Sequence, residues 1–109
     1  MRVSQLSPLS IPAQDIPRAV RFYREVFDLP SVFGKHESAH LSLHGEGITF
    51  IENAASINVQ VIVKDTPADI QNHFINYFVP ETRPAEVIDQ ATHFFIADFE
   101  GNTIEVIAK

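Results

Sequence analysis

The sequence predicts an α+β fold built from two repeated halves, and three observations carry that prediction. Apolar residues recur at three- and four-residue steps in two stretches, one following Asp15 and one following Thr66. Around those stretches the chain alternates apolar and polar residues with a period of two, as strands do. Landmarks of the first half also return in order in the second. Asp15-x-Pro17 recurs as Asp65-x-Pro67 and Pro30 as Pro80, both 50 residues on. Glu46-Gly47-x-Thr49-Phe50 recurs as Glu100-Gly101-x-Thr103-Ile104, 54 residues on. Each half therefore reads as strand, helix, strands, with a small insertion between the two offsets.

Leu9, Ile11 and Ala13 alternate with Pro8, Ser10 and Pro12, which predicts a short first strand at a sheet edge, where proline is tolerated. Asp15 caps the first helix and Pro17 sits in its first turn. Ile16, Ala19, Val20, Tyr23, Val26 and Phe27 form its buried stripe, with Phe22 and Tyr23 read as core. Arg18, Arg21 and Arg24 occupy a solvated face, and Asp28-Leu29-Pro30 ends the helix. From Ser31 to Glu52 the pattern is β, with a turn near His36–Ser38 and another at Gly45-Glu46-Gly47. Asn53–Ser56 is a linker. Ile57 to Val63 is a strand with Val59, Val61 and Val63 toward the helix, which leaves Asn58, Gln60 and Ile62 on the other face, joined by Ser10 and Thr103. Thr66 caps a second helix with Pro67 at its first position. Its stripe is Ile70, Phe74, Tyr77 and Phe78, and Pro80 stops it. Strands then follow at Glu86–Ile88, His93–Ala97 and Thr103–Ile107.

At 109 residues the chain makes one domain. Its formal charge of −6 argues against nucleic acid and anionic membrane surfaces, which need a positive footprint. With no cysteine, disulfides, thiolate metal sites and thiol catalysis are excluded. No apolar run approaches membrane-spanning length, and residues 1–8 lack the apolar core of a signal peptide. The expectation is a cytoplasmic protein.

Two motifs carry a family resemblance. Asp15, Ala19, Phe22-Tyr23, Val26-Phe27 and Leu29 resemble the D-x-x-x-A-x-x-F-Y-x-x-x-L-G-L signature of the vicinal oxygen chelate superfamily. Asp98-Phe99-Glu100-Gly101-Asn102 through Glu105 is similar to its D-P-D-G-N-x-x-E closing motif. That superfamily includes glyoxalase I, extradiol dioxygenases and bleomycin-resistance proteins. The resemblance implies two tandem βαβββ modules, about 1–53 and 56–109 of a single domain, whose mixed sheets curl around a cleft, and it implies a homodimer. Asp28 stands where the family has glycine; aspartate tolerates a left-handed backbone better than most residues. Phe99 replaces the motif's proline.

The resemblance also locates the positions from which the family draws metal ligands. In this sequence they are Pro8, Ile51, Asn58 and Glu105, of which only Glu105 is a strong donor. No metal, cofactor or catalytic residue is therefore assigned. Glu105, a lone acid among aliphatic neighbours, is open to three roles: metal ligand, acid/base, or polar group at a cavity wall. His36, His40 and His44 share one strand parity and are the alternative metal donors, but the parity His40–Ser42–His44 reads as a solvated or rim face. The function expected is metal-independent binding of an apolar or aromatic, even cationic, small molecule by Asn58, Gln60, His93, Phe95 and Glu105. The alternative is a metal-dependent lyase, isomerase or dioxygenase.

Overall fold

A computed structural model describes residues 1–32 and 39–109. The expected turn near His36–Ser38, and His36 itself as a metal donor, lie outside those residues. The elements in chain order are β1 (Val3–Ser7), β2 (Ser10–Pro12), α1 (Ile16–Phe27), β3 (Leu41–Leu43), β4 (Glu46–Ile51), β5 (Asn58–Val63), α2 (Pro67–Asn76), β6 (Glu81–Ile88), β7 (Ala91–Ala97) and β8 (Thr103–Ala108). They form a five-stranded sheet in the order β1-β5-β8-β7-β6 and a three-stranded sheet in the order β2-β4-β3. Neither closes into a barrel.

The repeat is visible in the pairing. In each half the strand before the helix runs parallel to the last strand: β2 beside β4, and β5 beside β8. Each last strand is also antiparallel to the one before it, β3 with β4 and β7 with β8. The exception is β1, a strand that the sequence reading does not include. It pairs antiparallel with β5, so the first segment of module one extends the sheet of module two.

Local chemistry sets the helix ends. Asp15 caps α1 by accepting from the Arg18 amide, and Thr66 caps α2 by accepting from the Asp69 amide. Asp28 closes α1 in the left-handed region (φ 54°, ψ 38°), as its residue type allows. The expected stripe on α2 is wrong at its end, where Tyr77 and Phe78 are 43% and 88% exposed. The helix stops at Asn76, Phe78 turns left-handed at φ 56°, and the Phe78 and Val79 amides bond back to the carbonyls of Ile75 and Phe74. This Schellman turn swings Phe78 outward and sends Val79 into the core instead.

The hairpin expected at Gly45-Glu46-Gly47 falls one residue earlier. His44 and Gly45 are its two loop residues, both at positive φ, between the paired residues Leu43 and Glu46. Gly47 lies within β4.

One core joins both modules. Ile11, Phe22, Tyr23, Phe27, Ile48 and Phe50 of the first meet Val59, Val61, Ile70, Phe74, Ile96 and Val106 of the second. The helices cover one face of the β strands. On β5, β7 and β8 the other face stays open. No helix among the described residues is long and apolar enough to cross a membrane.

Candidate functional site

The open face of the five-stranded sheet gathers all five residues expected from the sequence. Period-two alternation buries Val59, Val61 and Val63 and turns Asn58, Gln60 and Ile62 the other way. Strand register then builds three rows. Asn58 pairs with Thr103, and Thr103 with Ala97. Gln60 pairs with Glu105, Glu105 with Phe95, and Phe95 with Arg83. Ile62 pairs with Ile107, and Ile107 with His93. Ser10, expected on this face, lies instead in the other sheet opposite Thr49, because β2 pairs with β4.

Two contacts define the chemistry of this face. His93 and Glu105 sit on neighbouring strands one row apart, and Nδ1 of His93 lies 3.4 Å from Oε2 of Glu105. Their side chains are 14% and 18% exposed, so the pair is partly withdrawn from water. Beside them the guanidinium of Arg83 lies 3.7 Å from the centre of the Phe95 ring, a cation–π contact. Arg83 was not among the expected residues. Its strand begins five residues before the predicted Glu86–Ile88, since Pro84 and two register irregularities hide the alternation of β6. The face thus offers a carboxylate with a histidine, an aromatic ring under a guanidinium, and the amides of Asn58 and Gln60.

The four positions that the resemblance marks for metal ligands do not make a metal centre. Asn58 pairs with Thr103, and the residue paired with Thr49, 54 positions before Thr103, is Ser10 rather than Pro8. Pro8 falls between β1 and β2, because the module-one strand is shorter than its counterpart. The four positions accordingly read Ser10, Ile51, Asn58 and Glu105, still with a single strong donor. Among the described residues no three His, Asp or Glu side chains converge. His40 packs its ring against Phe50 and His44 sits in the hairpin loop, so the parity that linked them does not survive the turn.

A second polar constellation is buried, and the sequence reading passed over it. Asp98 is 6% exposed and accepts from the Tyr23 hydroxyl (2.7 Å), the Glu100 amide (2.9 Å), the Asn102 amide (3.0 Å) and Asn102 Nδ2 (2.8 Å). Asn102 also donates to the Pro12 carbonyl and accepts from the Ile57 amide. Glu100 accepts from the Gln14 and Asp15 amides and from Nε and Nη2 of Arg18. Arg18 is therefore no free surface charge, as its position on the helix suggested. Burial, reinforced by Asp98, pushes the Tyr23 phenol far above its usual range. The closing motif is thus mainly a clamp between modules. Buried acids in a turn beside an arginine on the neighbouring helix were the available signal.

Comparison with protein-family models and with curated protein sequences gives no match. Solved structures do match. An integron cassette protein from the mobile metagenome of V. cholerae superposes with a TM-score of 0.75 at 24% identity, over 99% of this chain and 97% of that one. A virulence protein from Salmonella typhimurium gives 0.76 at 18% identity over 91% of each chain. A member of the glyoxalase/bleomycin resistance protein/dioxygenase superfamily from Sphaerobacter thermophilus gives 0.68 at 14% identity, over 92% and 93%. This chain has the vicinal oxygen chelate fold. At these identities the likeness carries the architecture of that fold and no activity.

Proposed function

We propose that the chain is a metal-independent binding protein for a small molecule with an apolar or aromatic body and a hydrogen-bond donor, a role like that of bleomycin-resistance proteins. One observation carries the reading: the half-withdrawn Glu105–His93 pair lies in register with Gln60 and Phe95 on a sheet face that the helices leave open. Glu105 accepts the donor, Phe95 and Ile62 offer apolar surface, and Asn58 and Gln60 set orientation. Arg83 carries a positive charge at the Phe95 side, so a cationic group is placed toward Glu105. The protein acts as a homodimer in the cytoplasm.

Bleomycin and a panel of planar aromatic amines are the probes, with thermal stabilisation and calorimetry as readouts. Binding that falls at least tenfold in Glu105→Ala, with apo stability little changed, supports the reading. Equal binding by wild type and Glu105→Ala removes it.

A metal-dependent lyase, isomerase or dioxygenase is the second reading, favoured by the closeness of two ligand-type side chains, His93 and Glu105. Metal analysis separates the two. Stoichiometric Ni, Zn, Fe or Mn that is lost in Glu105→Gln replaces the binding-protein reading with the enzyme.

A further inference from the structure

The open face does not end at β5. Ser7 of β1 pairs with Gln60 and Gln5 pairs with Ile62, so both rows run one strand further than the candidate site. Directly opposed residues share a face of the sheet, which puts Ser7 beside Gln60 as Gln60 is beside Glu105. Beyond β1 a cavity of about 310 Å³ opens between that strand and the β3–β4 hairpin. Gln5, Ser7, Leu9, Leu43, His44 and Glu46 line it, so Gln5 and Ser7 belong to the rows and to the cavity alike. Leu43 and Glu46 oppose one another across the hairpin, which turns both side chains to the side that the cavity occupies. Glu46 enters no ion pair among the described residues.

We propose that the ligand of this face is an elongated dication, an alkane-diamine or polyamine with an apolar spacer, held by Glu105 at one end and Glu46 at the other. This assignment rests on the binding-protein reading of the Glu105 face. From Glu105 on β8 to Ser7 on β1 is two strand spacings, about 10 Å, and Glu46 stands beyond that. The two carboxylates are too far apart to share one ammonium group and are matched by two on a spacer. Between them Gln60 and Ser7 offer hydrogen bonds, while the half-buried Ile62, Leu9 and Leu43 offer apolar surface to the spacer. His93 meets Glu105 through Oε2, at 3.4 Å, which leaves Oε1 to the ligand. An ion pair open to water is weak, so one amine gains little at either end. Joining two amines makes the second contact intramolecular, and that gain depends on the length of the spacer. The formal charge of −6 draws such cations to the chain.

Calorimetry on the full chain at low salt tests this with octylamine, diaminobutane, diaminooctane and diaminododecane, and with a planar aromatic amine alongside. Diaminooctane or diaminododecane should bind at least about tenfold more tightly than octylamine. Diaminobutane, too short to span the strip, should show no such gain. In Glu46→Gln, a conservative change at an exposed strand residue, the ratio of the diaminooctane to the octylamine affinity should fall to near one. Diamines that bind no better than octylamine at any length overturn the proposal, as does a length preference that survives Glu46→Gln. If the aromatic amine then still binds and Glu105→Ala weakens it, the site reading stands and only the elongated ligand falls. If Glu105→Ala weakens the binding of no amine, both fall.

Discussion

Glu100 shows how much one carboxylate can hold. Its side chain is 1% exposed and takes four hydrogen bonds, two from backbone amides at the start of α1 and two from the fork of Arg18. The Arg18 guanidinium, helped by the Gln14 and Asp15 amides, holds the Glu100 carboxyl below its ordinary range against the opposing effect of burial. The folded chain therefore keeps Glu100 ionised at a pH where the unfolded chain has begun to bind a proton. Its contribution to stability is complete above the ordinary glutamate value and is lost as pH falls through the depressed folded value. Glu100→Gln should cost about 1 to 3 kcal/mol at neutral pH, since hydrogen bonds to a charged group are replaced by weaker ones. Urea unfolding of both proteins should show that difference shrinking as the pH drops below the usual carboxylate range. A difference that stays constant across that range would count against the clamp.

The β3–β4 hairpin shows what sequence patterns resolve and what they leave open at the level of an element. Two glycines flanking Glu46 read as the turn, yet the loop is His44-Gly45 and Gly47 lies in the strand. The reason for Gly47 is close packing against the segment that leads into β3: a Cβ built there would meet Cβ of Ala39 at 2.6 Å. Close approach and turn-making both select glycine, and no single-chain pattern separates them. The same limit explains α2, where an apolar stripe continues into Phe78 but the backbone reverses before it. Caps were legible because Asp15 and Thr66 act through their own side chains on amides three residues away. Gly47→Ala should destabilise the protein by about 1 to 3 kcal/mol, because neither the new methyl nor the Cβ of Ala39 can rotate away and the backbone of one segment must shift. Guanidinium unfolding checks it, with Gly45 left intact. An unchanged midpoint would show that the hairpin yields freely.

At the scale of the whole molecule, the repeat and the sheet parity were readable because both depend on spacing. The contacts by which the closing turn joins the modules were not, because they run between residues 75 to 90 positions apart. Asn102 is fully buried and joins three parts of the chain: the Pro12 carbonyl in β2, the Ile57 amide before β5, and Asp98 in its own turn. With β1 added to the sheet of module two and a single core beneath, neither half has a complete interior alone. The modules should therefore open together. Hydrogen exchange should give the slowest amides of β4 and of β8 the same opening free energy, since both report one global event. Asn102→Asp preserves shape but places an oxygen against the Pro12 carbonyl and the Asp98 carboxylate. It should lower both values together by about 3 to 5 kcal/mol, the scale for an uncompensated buried charge. If β4 lost protection while β8 kept it, the modules would be separate cooperative units and Asn102 a local turn residue.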